Sequence, residues 1–382
     1  MHVGLNLVFL VPGETGGMEV YANELIRALA EQRPDLRLTA FVNREAARRG
    51  GPWEQAASVV SVPVDARSRV AWVRGEQALL PRLAFRAGID VLHSMASTAP
   101  ATGRFARVVT IHDLHYRVVP EAHFGVRGLG MRVLVPLAAR RSHRVIAISA
   151  STAADVRRYL KVAPGRLDVI ASGLGATPSG EPEPERTLRE RYDLGDRPVA
   201  LSVSAKRPHK NLLRLLDALA ALDPARRPVL VIPGYPTPHE DELRERARAL
   251  GVSGDLRLLG WISSAELEGL YALAALFVFP SLYEGFGLPV LEAMRRGVPV
   301  ACSDRSSLPE IAGKAALLFD PEDPRAITAA MKRILGDPSE AQRLRAAGRK
   351  QAARFTWEAT ARATAASYER ALKPPRAGGR SA

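Results

Sequence analysis

The chain has 382 residues, 47% hydrophobic and 25% charged, a makeup that provides for two hydrophobic cores and excludes collagen-like, coiled-coil and disordered compositions. Its single cysteine, Cys302, excludes an intramolecular disulfide and any multi-cysteine zinc or iron–sulfur site, and suits a reducing, cytoplasmic setting. The net charge of +14 is uneven, since residues 1–175 hold 23 of the 54 basic but only 14 of the 40 acidic residues; such a surface attracts nucleic acid, anionic lipid or a phosphorylated substrate alike.

The apolar stretch at residues 3–11 has no basic residue ahead of it and no cleavage pattern before Gly13, so it reads as a buried first strand rather than a leader. No run reaches the roughly 18 apolar residues that cross a bilayer. In the first half, apolar runs predict strands at residues 2–10, 36–42, 58–62, 90–93, 107–111, 144–148 and 167–170, alternating with helices at 18–31, 70–87, 127–140 and 151–161. Between 170 and 198 the pattern lapses into Gly, Pro, Ser and charge, as a linker would. The alternation then resumes, with strands at 199–203, 228–232, 255–259, 276–280, 298–301 and 315–319. The helices of this half fall at 211–222, 240–250, 265–273, 288–296, 324–335 and 338–353, and a last one runs from Trp357 to about Leu372. Strand–helix alternation of this kind predicts parallel sheets covered by helices, with ligand motifs just after the strands.

Four segments after strands carry candidate chemistry. Residues 281–294 read Ser-Leu-Tyr-Glu-Gly-Phe-Gly-Leu-Pro-Val-Leu-Glu-Ala-Met. Gly285 and Gly287 allow close backbone approach, Pro289 suits a first helical turn, and the helix start offers amides and a positive dipole end to a phosphate. Glu284 in the loop and Glu292 about one turn into the helix fit sugar hydroxyls on either side of such a phosphate. By spacing alone, a glycine turn before a helix with two ordinary surface glutamates is the preferred reading. Residues 204–211, Ser-Ala-Lys-Arg-Pro-His-Lys-Asn, gather Lys206, Arg207 and Lys210, enough charge to neutralise a leaving diphosphate or merely to form a solvated basic loop. Gly16 and Gly17 follow the first strand without the spacing of a dinucleotide fingerprint, and a plain strand-to-helix turn looks similar. His112 ends a strand, where a histidine more often has a structural hydrogen-bonding role than a functional one, and Asp113 reads as the start of the next helical turn.

The run from Ser281 to Met294 closely resembles the acid, seven residues, acid signature of the retaining glycosyltransferases of family four, which have the GT-B fold of two facing Rossmann-like domains. The glycine-rich first loop, His112, the Lys210-Asn211 pair, Gly260-Trp261-Ile262-Ser263 and Ser306-Ser307-Leu308-Pro309-Glu310 resemble family segments in the same order, although no role for Glu310 follows. The resemblance covers nearly the whole chain, most strongly residues 199–320. Departures are Ala205, where the family often has the arginine that pairs with its lysine, and Ala171-Ser172-Gly173 in place of Pro-Asn-Gly; Arg207 is taken as the substitute arginine.

The resemblance implies an α/β GT-B architecture with a ligand cleft: an acceptor-side domain at 1–175, a nucleotide-sugar domain at 176–354, a helix at 355–373 crossing back to the first domain, and a disordered tail at 374–382. It implies transfer of a hexose from a GDP- or UDP-linked sugar to a hydroxyl of a glycan, lipid-linked or small-molecule acceptor. His112, Lys210 and Glu284 would be catalytic, and Gly16, Gly17, Arg207, Lys210, Trp261, Ile262, Glu284, Gly285, Phe286, Gly287, Leu288 and Glu292 would bind the donor. No cofactor is expected, and with no D-x-D pair and a basic clamp in its place, no metal. A sugar-nucleotide epimerase, hydrolase or phosphorylase of the same architecture is the enzymatic alternative. A basic nucleic-acid-binding protein is the other, although no basic-aromatic repeat supports it and no nucleic-acid partner is expected. Arg127, Arg132, Arg140, Arg141 and Arg144, interleaved with Leu129, Met131, Val133, Leu134, Val135 and Leu137, fit either an ordinary packed helix or weak peripheral association with anionic membrane.

Overall fold

The computed structural model describes residues 1–119, 126–175 and 180–373. These divide into two compact units, residues 1–117, 126–175 and 356–373 forming the first and residues 118–119, which the sequence reading placed in the first domain, and 180–355 the second. The expected tail at 374–382 and the side chains of Arg127 and Leu129 lie outside the described residues.

In the first unit the apolar runs become β1 (His2–Leu7), β2 (Arg37–Val42), β3 (Ser58–Ser61), β4 (Val91–Ser94), β5 (Ala106–Ile111), β6 (Arg144–Ala147) and β7 (Leu167–Val169), all parallel in the order β3-β2-β1-β4-β5-β6-β7. Burial follows position: every residue of β1 is buried, whereas the edge strand β3 exposes Ser58, Val59 and Ser61. The second unit repeats the scheme with β8 (Val199–Leu201), β9 (Val229–Ile232), β10 (Leu256–Leu258), β11 (Ala274–Phe279), β12 (Val300–Ser303) and β13 (Ala316–Phe319), in the order β10-β9-β8-β11-β12-β13. Its core joins Leu230, Ile232, Leu276 and Val278 of the sheet to Leu215, Leu216 and Leu219 of helix Leu212–Ala220 and to Ile327, Met331 and Ile334 of helix Pro324–Gly336. Strand order reverses between β1 and β4 and again between β8 and β11. At such reversals the following loops diverge to opposite faces and leave room for a ligand at the carboxyl ends of the strands. The segments beginning at Val8, Met95, Ser202 and Pro280 lie at these points.

The last helix, Trp357–Leu372, packs on helix Gly17–Gln32 and on the sheet of the first unit. Gly173 permits this, because a Cβ there would fall 2.5 Å from the Trp357 ring and 2.6 Å from its backbone nitrogen. Thr360 Oγ1 donates to the Ala171 carbonyl at 2.8 Å, and Asp168 accepts from Ser367 (2.7 Å), Arg370 (2.9 Å) and Arg144 (2.9 Å). Arg144 is therefore committed to Asp168 and corrects the basic membrane stretch proposed from sequence; Arg132, Val133, Arg140 and Arg141 on helix Val126–Arg141 are exposed.

Three further departures have local causes. The linker expected between 170 and 198 contains a helix, Glu185–Arg191, folded onto helix Ser264–Leu273, with the Glu183 amide donating to the Ala265 carbonyl and Arg191 bonded to both Glu183 and Glu266. The second unit ends at Phe355, one residue beyond the expected 354. The single helix expected at 70–87 is a helix Arg69–Arg74, a π-helical turn Gly75–Leu79 and a helix Leu80–Arg86. Among the described residues no helix is long and apolar enough to cross a membrane.

Candidate functional site

In the second unit the loops after β8 and β11 are sewn together. Asn211 adopts a left-handed conformation (φ 60°), which asparagine tolerates, and its buried amide donates to the carbonyls of Pro280 (3.1 Å) and Pro321 (2.7 Å). The Leu282 amide and the Ser281 hydroxyl donate to the His209 carbonyl at 2.9 and 3.2 Å. This stitching delivers Lys210 to Glu284, Nζ to Oε1 at 2.5 Å, with the ammonium 5.3 Å from the centre of the Phe279 ring. The sequence-matched serines support the loop: Ser306 Oγ donates to the Glu284 carbonyl at 2.6 Å, and Ser307 Oγ donates to the carbonyls of Glu284 (2.9 Å) and Phe286 (2.6 Å).

Gly287 begins helix Leu288–Arg295 with φ 116°, a conformation that strains any residue with a Cβ. The amides of Phe286, Gly287 and Leu288 have no acceptor among the described residues, so three donors are left unpaired at the positive end of a helix, in the loop that carries Glu284. The Phe286 ring itself is buried, 5.8 Å from Phe355 between centroids. On the same helix Glu292 accepts from the Tyr271 hydroxyl at 3.1 Å, and burial raises its carboxyl above the ordinary range against the opposing pull of Arg296. Arg296 itself is held by Glu268 (2.7 Å) and lies 4.5 Å over the Tyr271 ring.

Of the three cations counted in residues 204–211, only two remain for a ligand. Lys206 is fully buried, its ammonium donating to the carbonyls of Gly234 (2.6 Å) and Leu259, so it ties together the ends of β8, β9 and β10. Arg207 is half-buried and its guanidinium has no partner among the described residues. Trp261 is 73% exposed and meets Tyr235, 50% exposed, edge to face at 6.4 Å. Tyr235, which the sequence reading missed, is brought there because its carbonyl accepts from the Lys206 amide at 3.2 Å; a lone tyrosine after a strand gave no signal of it. The backbone amide and carbonyl of Ile262 make no hydrogen bond with a described residue.

In the first unit Gly16 (φ 66°) precedes helix Gly17–Gln32 without a capping side chain, leaving the helix start open. His112 follows β5. Its Nε2 lies 2.6 Å from the Met95 carbonyl, which can only accept, so the proton sits on Nε2 and Nδ1 keeps its lone pair, with no partner among the described residues. Burial lowers its pKa, which keeps the ring neutral at pH 7. The Tyr21 ring stands edge-on to it at 4.8 Å, itself fixed by a 3.2 Å bond between its hydroxyl and Thr110. Asp113 pairs with His115 (Nδ1 at 3.1 Å) and accepts from its amide at 3.0 Å, in keeping with a turn residue.

The chain matches two family models, Glycosyltransferase Family 4 over residues 15–175 and Glycosyl transferases group 1 over residues 185–351. It is 33% identical over 266 residues to O-antigen chain mannosyltransferase B of Escherichia coli, a match covering 69% of this chain and 70% of that protein. It is 30% identical to D-inositol 3-phosphate glycosyltransferase of Frankia alni, over 95% of this chain and 96% of the relative. Among solved structures it is similar to HepE of Anabaena in complex with UDP-glucose, with a TM-score of 0.75 and 21% identity over 97% of this chain and 99% of that one.

Proposed function

The chain belongs to the group 1 glycosyltransferases, with a family 4 first domain and the GT-B fold, and we propose that it moves a hexose, mannose first among candidates, from a GDP- or UDP-linked donor to a hydroxyl with retention of anomeric configuration. The observation that carries this is the Lys210–Glu284 pair beside the three unpartnered amides of Phe286, Gly287 and Leu288. A diphosphate entering there takes the charge of Lys210 and the amides and frees Glu284 for the hydroxyls of the donor sugar. Arg207 adds a second cation. Glu292 accepts from the ribose, and the free backbone groups of Ile262, beside Trp261, meet the base. His112, neutral with Nδ1 open, steadies the reacting face.

The acceptor oxygen attacks the anomeric carbon on the face that the diphosphate leaves. The bond from that carbon to the diphosphate breaks, the new glycosidic bond forms, and the acceptor's proton passes to the departing diphosphate oxygen. The residues contribute position and charge, with Lys210 and Arg207 doing a metal's electrostatic work. The acceptor is a glycan, lipid-linked or small-molecule hydroxyl. Weak peripheral association on the cytoplasmic membrane face is supported by exposed Arg132, Val133, Arg140 and Arg141. Incubation with GDP-mannose and UDP-glucose against a panel of glycoside acceptors, read by NMR of the product in the presence of EDTA, tests the reaction. An α-donor should give an α-linked product at an unchanged rate. An inverted linkage, or a rate abolished by EDTA, contradicts the proposal; free sugar as sole product points to the hydrolase alternative.

A further inference from the structure

Glu76 is a carboxyl only 1% exposed, at the reversal of strand order in the first unit, and none of the roles above uses it. It comes from the π-helical turn Gly75–Leu79, a rare geometry that recurs at functional sites. Its Oε1 accepts from Thr98 Oγ1 and from Asn6 Nδ2, each at 3.0 Å, and Asn6 Nδ2 also reaches Ser94 Oγ at 3.1 Å. The neighbouring Gln77 holds the same loop farther along, donating to the Ala99 carbonyl and accepting from the Ala101 amide, both at 3.0 Å. One turn of chain thus clamps the segment from Ser94 to Ala101.

That segment is what holds His112. Met95 supplies the carbonyl on Nε2, and Ser97 Oγ accepts from the His112 amide at 3.3 Å. Ser97 does this in a left-handed conformation, φ 65°, which serine adopts only under outside restraint. The restraint comes from two sides: β5, where the Thr110 carbonyl accepts from the Ser97 amide at 2.9 Å, and Glu76, through the adjacent Thr98. The groups that meet the Glu76 carboxyl from β1, from the loop after β4 and from its own turn are Asn6, Thr98 and Gln77, all neutral, so no counterion accounts for a glutamate here. We propose that Glu76 is a positioning residue for His112, fixing through Thr98 the loop that sets the tautomer and direction of the imidazole. The assignment rests on the role given to His112 above.

The full chain labelled with ¹⁵N-histidine, with the His112 signal identified by His112→Asn, reports the link directly. In the wild type and in Glu76→Gln, which keeps an accepting oxygen, His112 should remain the neutral Nε2–H tautomer. In Glu76→Ala and Thr98→Val its midpoint should rise toward the ordinary imidazole value and the second tautomer appear. With GDP-mannose as donor, both should lower kcat roughly tenfold and leave the donor KM within about twofold, because Lys210, Arg207, Glu284 and Glu292, to which the donor contacts are given above, lie on the other unit. Unchanged His112 signals in folded Glu76→Ala and Thr98→Val would overturn the assignment, and if Glu76→Ala does not fold, Thr98→Val decides alone. A wild type without turnover whose His112 still responds to Thr98→Val would refute the transferase reading while the link stands.

Discussion

Lys206 and Lys210 stand four positions apart in one basic loop and do opposite things. Lys206 spends its charge on two backbone carbonyls inside the second unit, whereas Lys210 faces Glu284, in the loop of the unpaired amides. Lys206→Met should therefore cost stability, about 1–3 kcal/mol for carbonyls left unmet, and keep nucleoside-diphosphate affinity in the folded protein, while Lys210→Met, which leaves the buried Glu284 carboxylate without its cation, should lose that affinity. Paired thermal melts and calorimetric titrations check both. Which lysine does which was not legible in the sequence, since direction depends on the Gly234 and Leu259 carbonyls brought from two other strands. Glu76 was illegible for the same reason. Burial pushes its carboxyl up to about 7 from an ordinary 4.5. The folded state then binds more protons than the unfolded between these values, so its contribution is complete below 4.5 and is lost as pH rises through 7. The melting temperature of Glu76→Gln should gain on wild type over that window, by up to roughly 3 kcal/mol in stability; parallel pH dependences would refute this.

Elements were more legible than residues. Apolar runs and helical spacing placed the thirteen strands among the described residues, and the long helices, because burial on both sheet faces leaves a strong signal. The π-helical turn at Gly75–Leu79 and the helix Glu185–Arg191 escaped, the first because one widened turn barely disturbs periodicity, the second because its charged sequence is helical only through its packing on Ser264–Leu273. At the site, glycine and proline spacing announced a helix start, but what holds the loop in place, Asn211 and the serine pair, could only be matched by resemblance. Asn211→Ala removes donors from two buried carbonyls and the residue type suited to φ 60°. It should destabilise the second unit by about 1–3 kcal/mol, or several degrees in melting temperature, and weaken nucleotide binding in the remaining folded protein. A variant of unchanged stability would show that the loop is held elsewhere.

Across the molecule, two sheets with the same reversal of strand order place the glycine loop, His112 and residues 204–211, 260–263, 281–294 and 306–310 after strand ends, the first two on the first unit and the others on the second. Basic residues held by an acidic partner, such as Arg144 by Asp168, Arg296 by Glu268 and Lys210 by Glu284, add nothing to the net positive charge, whereas Arg207 has no partner among the described residues. In the proposed reaction the second unit binds a nucleoside diphosphate through Lys210, the Phe286–Leu288 amides and Glu292. The thermal shift of wild type, Lys210→Met and Glu292→Ala with GDP, UDP, ADP and TDP in EDTA tests this binding. One nucleotide at about 100 times its Kd should stabilise the wild type by about 2.7 kcal/mol, a shift of several degrees, and both variants should lose it. No shift with any nucleotide, or the same shift in variants that fold like wild type, would contradict the site.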